Sequence, residues 1–259
     1  IPVVGGGHVY FASGDGNVYS LDAASGELKW KFHTGDVVHA SPAYADGVVY
    51  AGSWDSYFYA IDARTGAEKW RFHGGEDPVI HNQVGFQSSP AIVDGVVYTG
   101  CRDSNLYAID AATGREKWRF NNNGSWVISS PAVARGKVIF TTSDSSLYYV
   151  VDAGSGKLLV RQQDKAYMFS SPTVAGSVVF TGVLNGTLEA RDLDSGEVLW
   201  EFRTEASKRN DGWVLSADRR FNSSLVFSSS WREAPIVAID RQSGVGSIFS
   251  SPLVVDGVV

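Results

Sequence analysis

One motif organises this chain. Asp-x-x-[Ser/Thr]-Gly occurs six times, ending at Gly26, Gly66, Gly114, Gly156, Gly196 and Gly244. Twenty or twenty-one residues before each of its aspartates stands a strand opener: Pro2, Pro42, Pro90, Pro131, Pro172 and, in the sixth unit, Arg220. A seventh opener, Pro252, begins Pro-Leu-Val-Val-Asp-Gly-Val-Val at the end of the sequence. Successive openers are 40, 48, 41, 41, 48 and 32 residues apart. A period near 40 without helical patterning is the signature of small repeated sheets, as in a propeller.

Residues 88–120 show why each unit reads as four strands. Pro90-Ala91-Ile92-Val93 is a short apolar run closed by Asp94-Gly95, and Val96–Gly100 is a second run turned by Asp103-Ser104-Asn105. Leu106–Ile109 is a third run, closed by the Asp110–Gly114 motif, and Glu116–Phe120 is the fourth. β-Branched and aromatic residues between Asp-Gly and Thr-Gly punctuation predict hairpins throughout. Strands A to C are nearly all apolar, which predicts sheets covered on both faces. Strand D alternates, with Trp30 and Phe32, Trp70 and Phe72, Trp118 and Phe120, and Trp200 and Phe202 on one side and Lys or Arg on the other. The charges guard an outer edge. The tryptophans and the motif aspartates, present in nearly every unit, read as scaffold, with Asp folding an Asx-type turn and Gly supplying positive φ. The expectation is an all-β propeller of four-stranded antiparallel blades over 1–259, with six units plus a truncated seventh.

Composition narrows the function. Acidic residues outnumber basic ones for a net charge of −6, which argues against nucleic-acid binding as the main role, since phosphate contacts need a concentrated positive field. A single cysteine, Cys101, excludes an intrachain disulfide and any CxxC site. No apolar run reaches the roughly 20 residues of a membrane-spanning helix. The opening at Ile1 has neither starter Met nor signal-peptide pattern, so the expectation is either that such a segment has been removed or that this is a piece of a longer protein.

Residues 9–32, Val-Tyr-Phe-Ala-Ser-Gly-Asp-Gly-Asn-Val-Tyr-Ser-Leu-Asp-Ala-Ala-Ser-Gly-Glu-Leu-Lys-Trp-Lys-Phe, closely resemble the PQQ-like β-propeller repeat. Residues 48–72 and 96–120 match equally well, and 138–160 and 178–202 more loosely. The resemblance implies the propeller fold and a bacterial periplasmic or cell-surface setting. It admits two functions: a binding scaffold like the outer-membrane assembly lipoprotein, or a quinoprotein dehydrogenase using pyrroloquinoline quinone with Ca²⁺ on an alcohol or sugar. The chain departs from the pattern at Val160, where Trp is expected, in the sixth unit, which lacks most of strand D, and in the seventh, which stops inside strand B. The Pro252 strand, having no blade of its own, is expected to be loosely held.

Function is expected on the D–A and B–C loops, which vary while the Asp-Gly and Thr-Gly turns repeat. The candidate ligand-binding residues are His39, His81, Asn82, Arg102, Trp126, Tyr167, Arg209 and Trp213, of types that suit recognition and polar ligands. Trp54, Tyr57, Asp103, Trp231, Arg232 and Glu233 lie in B–C loops beside them. The bland reading of all these is solvated loop. His39, His81 and Asp77 lack a paired ligand spacing, so no metal site is expected, and no catalytic residue is assigned. Cys101 beside Arg102 admits an activated thiol, but it holds a small-residue position and reads as packing. The primary reading is a binding module for a protein, peptide, glycan or small polar ligand, with no cofactor. The quinone dehydrogenase is the alternative, opposed by the lone cysteine where such enzymes carry an adjacent pair, and a hydrolase on the same loops is weaker still.

Overall fold

The computed structural model describes residues 1–75, 85–143, 145–222, 244–255 and 258–259. The chain divides into two compact units, Ile1–Val133 with Ala153–Lys157, and Ala134–Asp152 with Leu158–Val259. The described strands make five four-stranded antiparallel sheets, each in simple sequence order. The all-β propeller-blade architecture expected from the repeat is the one observed, and the only helix among the described residues is a five-residue turn of helix.

The first unit holds three blades. They are β1 (Val3–Gly5), β2 (His8–Ala12), β3 (Asn17–Asp22), β4 (Leu28–His33); β5 (Ala43–Ala45), β6 (Val48–Gly52), β7 (Tyr57–Asp62), β8 (Glu68–His73); and β9 (Ala91–Val93), β10 (Val96–Gly100), β11 (Asn105–Asp110), β12 (Glu116–Asn121). Their A–B hairpins are two-residue turns in which Asp46 and Gly47, or Asp94 and Gly95, both have positive φ, the type I′ geometry that matches strand twist. Strands β6, β7, β10 and β11 are buried almost throughout, as expected of sheets covered on both faces.

A repeated clasp joins neighbouring blades. Trp30 Nε1 and the Tyr10 hydroxyl both donate to the Ala63 carbonyl, at 2.9 and 3.3 Å. Trp70 and Tyr50 do the same to Ala111, and Trp118 and Tyr98 to Ala153. The acceptor follows the motif aspartate, so the motif turn of one blade seats on the indole of the blade before it. Gly66 (φ +74°) lies so close to Trp30 that a Cβ there would stand 2.8 Å from the ring, which fixes Gly by both conformation and space. The motif aspartates are scaffold as expected: Asp62 accepts from the Arg64 and Thr65 amides and the Thr65 hydroxyl at 2.8–3.2 Å, and Asp22, Asp110 and Asp192 act alike.

The second unit contains β14 (Lys137–Thr141), β15 (Leu147–Asp152) and β16 (Leu158–Gln163), which continue the sheet begun by β13 (Ala132–Ala134). It also contains the complete blade β17 (Thr173–Ala175), β18 (Val178–Val183), β19 (Thr187–Asp192) and β20 (Val198–Arg203). After it comes α1 (Glu205–Arg209), capped by Thr204, whose side chain accepts from the Ser207 amide. Two departures from expectation stand here. Trp200 is 45% exposed where Trp30 and Trp118 are 8% and 9%; residues 240–243 of the sixth motif lie outside the described residues. The Pro252 segment is tied directly to β17. Ser170 Oγ donates to the Ser250 carbonyl at 2.9 Å and the Ser171 amide to Ser251 Oγ at 3.2 Å. In the first unit Ser88 and Ser89 bind Ser129 and Ser130 in the same way. Arg220, the expected sixth opener, pairs with Asp218 and gives its carbonyl to the Ser216 amide. The sixth strand B and C lie outside the described residues.

Candidate functional site

The loops of the first unit are pinned before they present anything. After β4, the Gly35 amide donates to Asp55 Oδ2 at 2.6 Å, and after β8 the Gly75 amide donates to Asp103 Oδ2 at 2.7 Å. Each of these B–C aspartates also accepts from a strand-C tyrosine, Tyr59 or Tyr107. Asp103 is buried and committed to this brace, so it leaves the group of exposed binding candidates. Backbone bonds complete the frame: the Trp54 amide donates to the Val37 carbonyl, and the Arg102 amide to the Gly85 carbonyl, both at 3.0 Å.

That frame brings three of the candidate residues together with Trp54. The Arg102 guanidinium carbon lies 4.2 Å from the Trp54 ring centre and 4.6 Å from that of Trp126. His39 stands on Trp54, ring centres 4.7 Å apart at 52°. His39 is exposed and both indoles are half-buried, whereas Arg102 is only 6% exposed. Loops from three blades therefore build one aromatic–cationic stack. Arg102 is not the solvated loop residue the sequence suggested; its planar cation is clamped by π faces and acts through its in-plane N–H groups. The Trp54 indole N–H is buried and has no acceptor among the described residues.

In the second unit Tyr167 is half-buried and meets Phe169 edge-on at 6.4 Å, and Phe169 stacks on the exposed Phe249. Arg209 is exposed at the end of α1 and forms no ion pair among the described residues, and Trp213 is 61% exposed. No ring contact or hydrogen bond joins Tyr167, Arg209 and Trp213 to one another among the described residues. His81 and Asn82, with Asp77, Trp231, Arg232 and Glu233, lie outside them.

Cys101 is fully buried, with its Sγ 3.3 Å from the Gly85 carbonyl. Burial, then the Asp103 charge, pushes its thiol well up, the opposite of activation. Among the described residues no three His, Cys, Asp or Glu side chains converge, one cysteine supplies no pair, and Trp126 and Arg102 are already engaged with each other.

The residue-by-residue reading missed a buried set in the second unit, Asp164, Glu189 and Arg191. Its signal was present in strand C of the fifth unit, where Thr-Leu-Glu-Ala-Arg-Asp stands in place of the Asn-Leu-Tyr-Ala-Ile-Asp of the third.

The sequence profile of the family described as outer membrane protein assembly factor BamB matches residues 1–121 and 102–247. No curated protein matches the chain in sequence. Among solved structures, BamB from Moraxella catarrhalis superposes with a TM-score of 0.70 at 21% identity, over 79% of this chain and 63% of that one. Quinohemoprotein alcohol dehydrogenase from Comamonas testosteroni superposes at 0.72 and 16% identity, over 88% of this chain and 46% of that one. The computationally designed Ika8 protein gives 0.66 at 19%, over 78% and 60%. At these identities the likeness is one of fold, and the chain spans less than two thirds of the length of each. No helix among the described residues is long and apolar enough to cross a membrane. With the profile matched along nearly its whole length, the chain belongs to the family of the outer membrane protein assembly factor BamB.

Proposed function

We propose that this protein is an extracytoplasmic binding module that docks a protein partner on the D–A and B–C loops, with the stack of His39, Trp54, Arg102 and Trp126 as its anchor. The observation that carries this reading is the Arg102 guanidinium held between two indoles by loops of different blades. Trp and Arg in a fixed, largely desolvated arrangement are what binding hot spots are made of. The family supports a partner from the outer-membrane assembly apparatus and a periplasmic or cell-surface setting. The dehydrogenase likeness, at 16% identity, supports the fold.

Photo-crosslinking tests the choice of surface. A photoreactive residue at position 39 or 126 should yield a specific adduct in the cell envelope of the source organism. The same probe at Ala24 or Ala112, in the motif turns, should yield none. Adducts confined to the turn positions would overturn the reading.

A further inference from the structure

The blade seams of the first unit are closed by aromatic pairs. Phe32 meets Tyr59 edge-on at 5.2 Å, and Phe72 meets Tyr107 at 5.1 Å. In the second unit the same two repeat positions are Gln162 and Glu189, the Trp position is Val160, and the apolar position held by Ile61 and Ile109 is Arg191. The positional match is direct, since Gly196 sits against Val160 as Gly66 sits against Trp30. Four replacements at one seam exchange a hydrophobic joint for a charged one.

The charges are enclosed. Asp164, Glu189 and Arg191 are 2%, 3% and 4% exposed. Arg191 Nη2 reaches Asp164 Oδ2 at 2.5 Å and also reaches Glu189 Oε2, while Nη1 donates to the Gly196 carbonyl at 3.1 Å. Tyr148 of β15 lies under the guanidinium at 5.1 Å. Two carboxylates converging on one nitrogen are necessarily close neighbours, and one guanidinium cannot neutralise both. In a buried site the second carboxyl keeps a proton. Asp164 also accepts from the Lys165 amide at 2.5 Å, and burial, then the Asp164 charge, raises the Glu189 carboxyl, which is therefore the one that keeps the proton.

The other charged groups around the triad are occupied elsewhere or lie at its rim. Lys165 pairs with Glu201 of β20 at 3.1 Å, Arg219 pairs with the same glutamate, and Glu197 stands at the edge. Lys165, Glu197 and Glu201, together with Gln162 and Gln163, line a cleft of about 340 Å³ that reaches the triad, which gives the proton a route to water.

We propose that Asp164, Glu189 and Arg191 form a proton-linked joint between β16 and β19, closed while the two carboxyls share a proton and opened towards the cleft when it is lost. The Glu189 carboxyl is pushed up to about 8, first by burial, then by the Asp164 charge, against the opposing pull of Arg191. Its ordinary value is about 4.3. A raised folded-state value means that its contribution to stability is complete below about pH 4 and is lost as pH rises to about 8.

Urea denaturation of the full chain, followed from pH 5 to 9, tests this. Relative to Glu189→Gln, the wild-type folding constant should fall by up to tenfold per pH unit through that window, the signature of one extra proton bound by the folded state. Asp164→Asn should also flatten the slope, by letting Glu189 titrate lower. Should either variant fail to fold, the carboxyl carbon of Glu189 in the wild type still reports directly. Its NMR titration midpoint should lie near 8, and amide exchange in β16 and β19 should rise through the same range while β7 and β11 stay unchanged. A Glu189→Gln protein with the wild-type slope, or a Glu189 that titrates in the ordinary carboxylate range, would overturn the proposal.

Discussion

Arg102 shows how one side chain serves both scaffold and recognition. It is nearly buried and its charge is stabilised by two indole faces instead of water. Removing it empties the space between the two indole faces. Arg102→Ala should cost about 2 kcal/mol of stability, the value of a desolvated cation–π contact, besides weakening partner binding. Arg102→Lys keeps the charge but not the plane, so it should recover only part of either effect. Urea denaturation and binding to the crosslinked partner measure the two losses separately. The strand-D tryptophans allow a cleaner comparison, since identical residues at equivalent positions differ in burial. Trp118→Ala should cost about 3–5 kcal/mol, whereas Trp200→Ala, at a ring 45% exposed, should cost about 1 kcal/mol. Equal losses would show that Trp200 is covered as its sequence position suggested.

At the scale of single elements, the sequence was most informative where geometry is local. Asp46-Gly47 and Asp94-Gly95 announced hairpins, and the structure forms them as type I′ turns, because positive φ at both positions is a property of two residues and needs no distant partner. The motif turns were legible for the same reason. Their carboxyls are held below the ordinary carboxylate range by the turn itself: Asp62 chiefly by the Thr65 hydroxyl, Asp110 by that of Thr113, Asp22 and Asp192 by the Ser25 and Ser195 amides. A lowered folded-state value contributes stability that is present above the unfolded value of about 3.9 and lost as pH falls through the folded one. Acid titration followed by tryptophan fluorescence should therefore show the blades loosening below about pH 4. Asp62→Asn, which keeps the acceptor but not the proton site, should make that loss shallower. The site was less legible, because a stack such as His39 on Trp54 depends on which loops of different blades face each other. Arg102 and Trp126 were named from residue type alone, and neither burial nor partnership can be inferred from type. The triad at Glu189 escaped because each departure from the repeat looks minor alone. Only their coincidence across two strands of different blades reveals a rebuilt seam.

For the whole molecule, the blade architecture follows from the period, and the motif order puts a unit beginning at Arg220 between the fifth blade and Pro252, most of which lies outside the described residues. The second unit gives Ser250, Ser251 and Pro252 contacts beside β17 like those an adjoining inner strand makes. Besides the two serine bonds, Thr173 Oγ1 donates to the Pro252 carbonyl at 2.5 Å, and the Ile248 amide points to the Val183 carbonyl as the Val127 amide does to Cys101. Ile248 also fills the space over Gly182 that Val127 fills over Gly100. Four equivalent contacts argue for a defined docking, against the loosely held strand that an unpartnered seventh opener implied. Hydrogen exchange and mutation together distinguish the two. Ser251→Ala should speed exchange of the Ser171 amide and leave the Ser89 amide unaffected, because Ser89 uses Ser130 for the same bond. Ile248→Ala should cost about 1–2 kcal/mol, a partial-burial loss, and should act on β18 amides before those of the first unit. Rapid wild-type exchange at both Ser171 and Ile248, unchanged by either substitution, would show that Pro252 has no fixed place beside β17 and would restore the reading of a surplus strand.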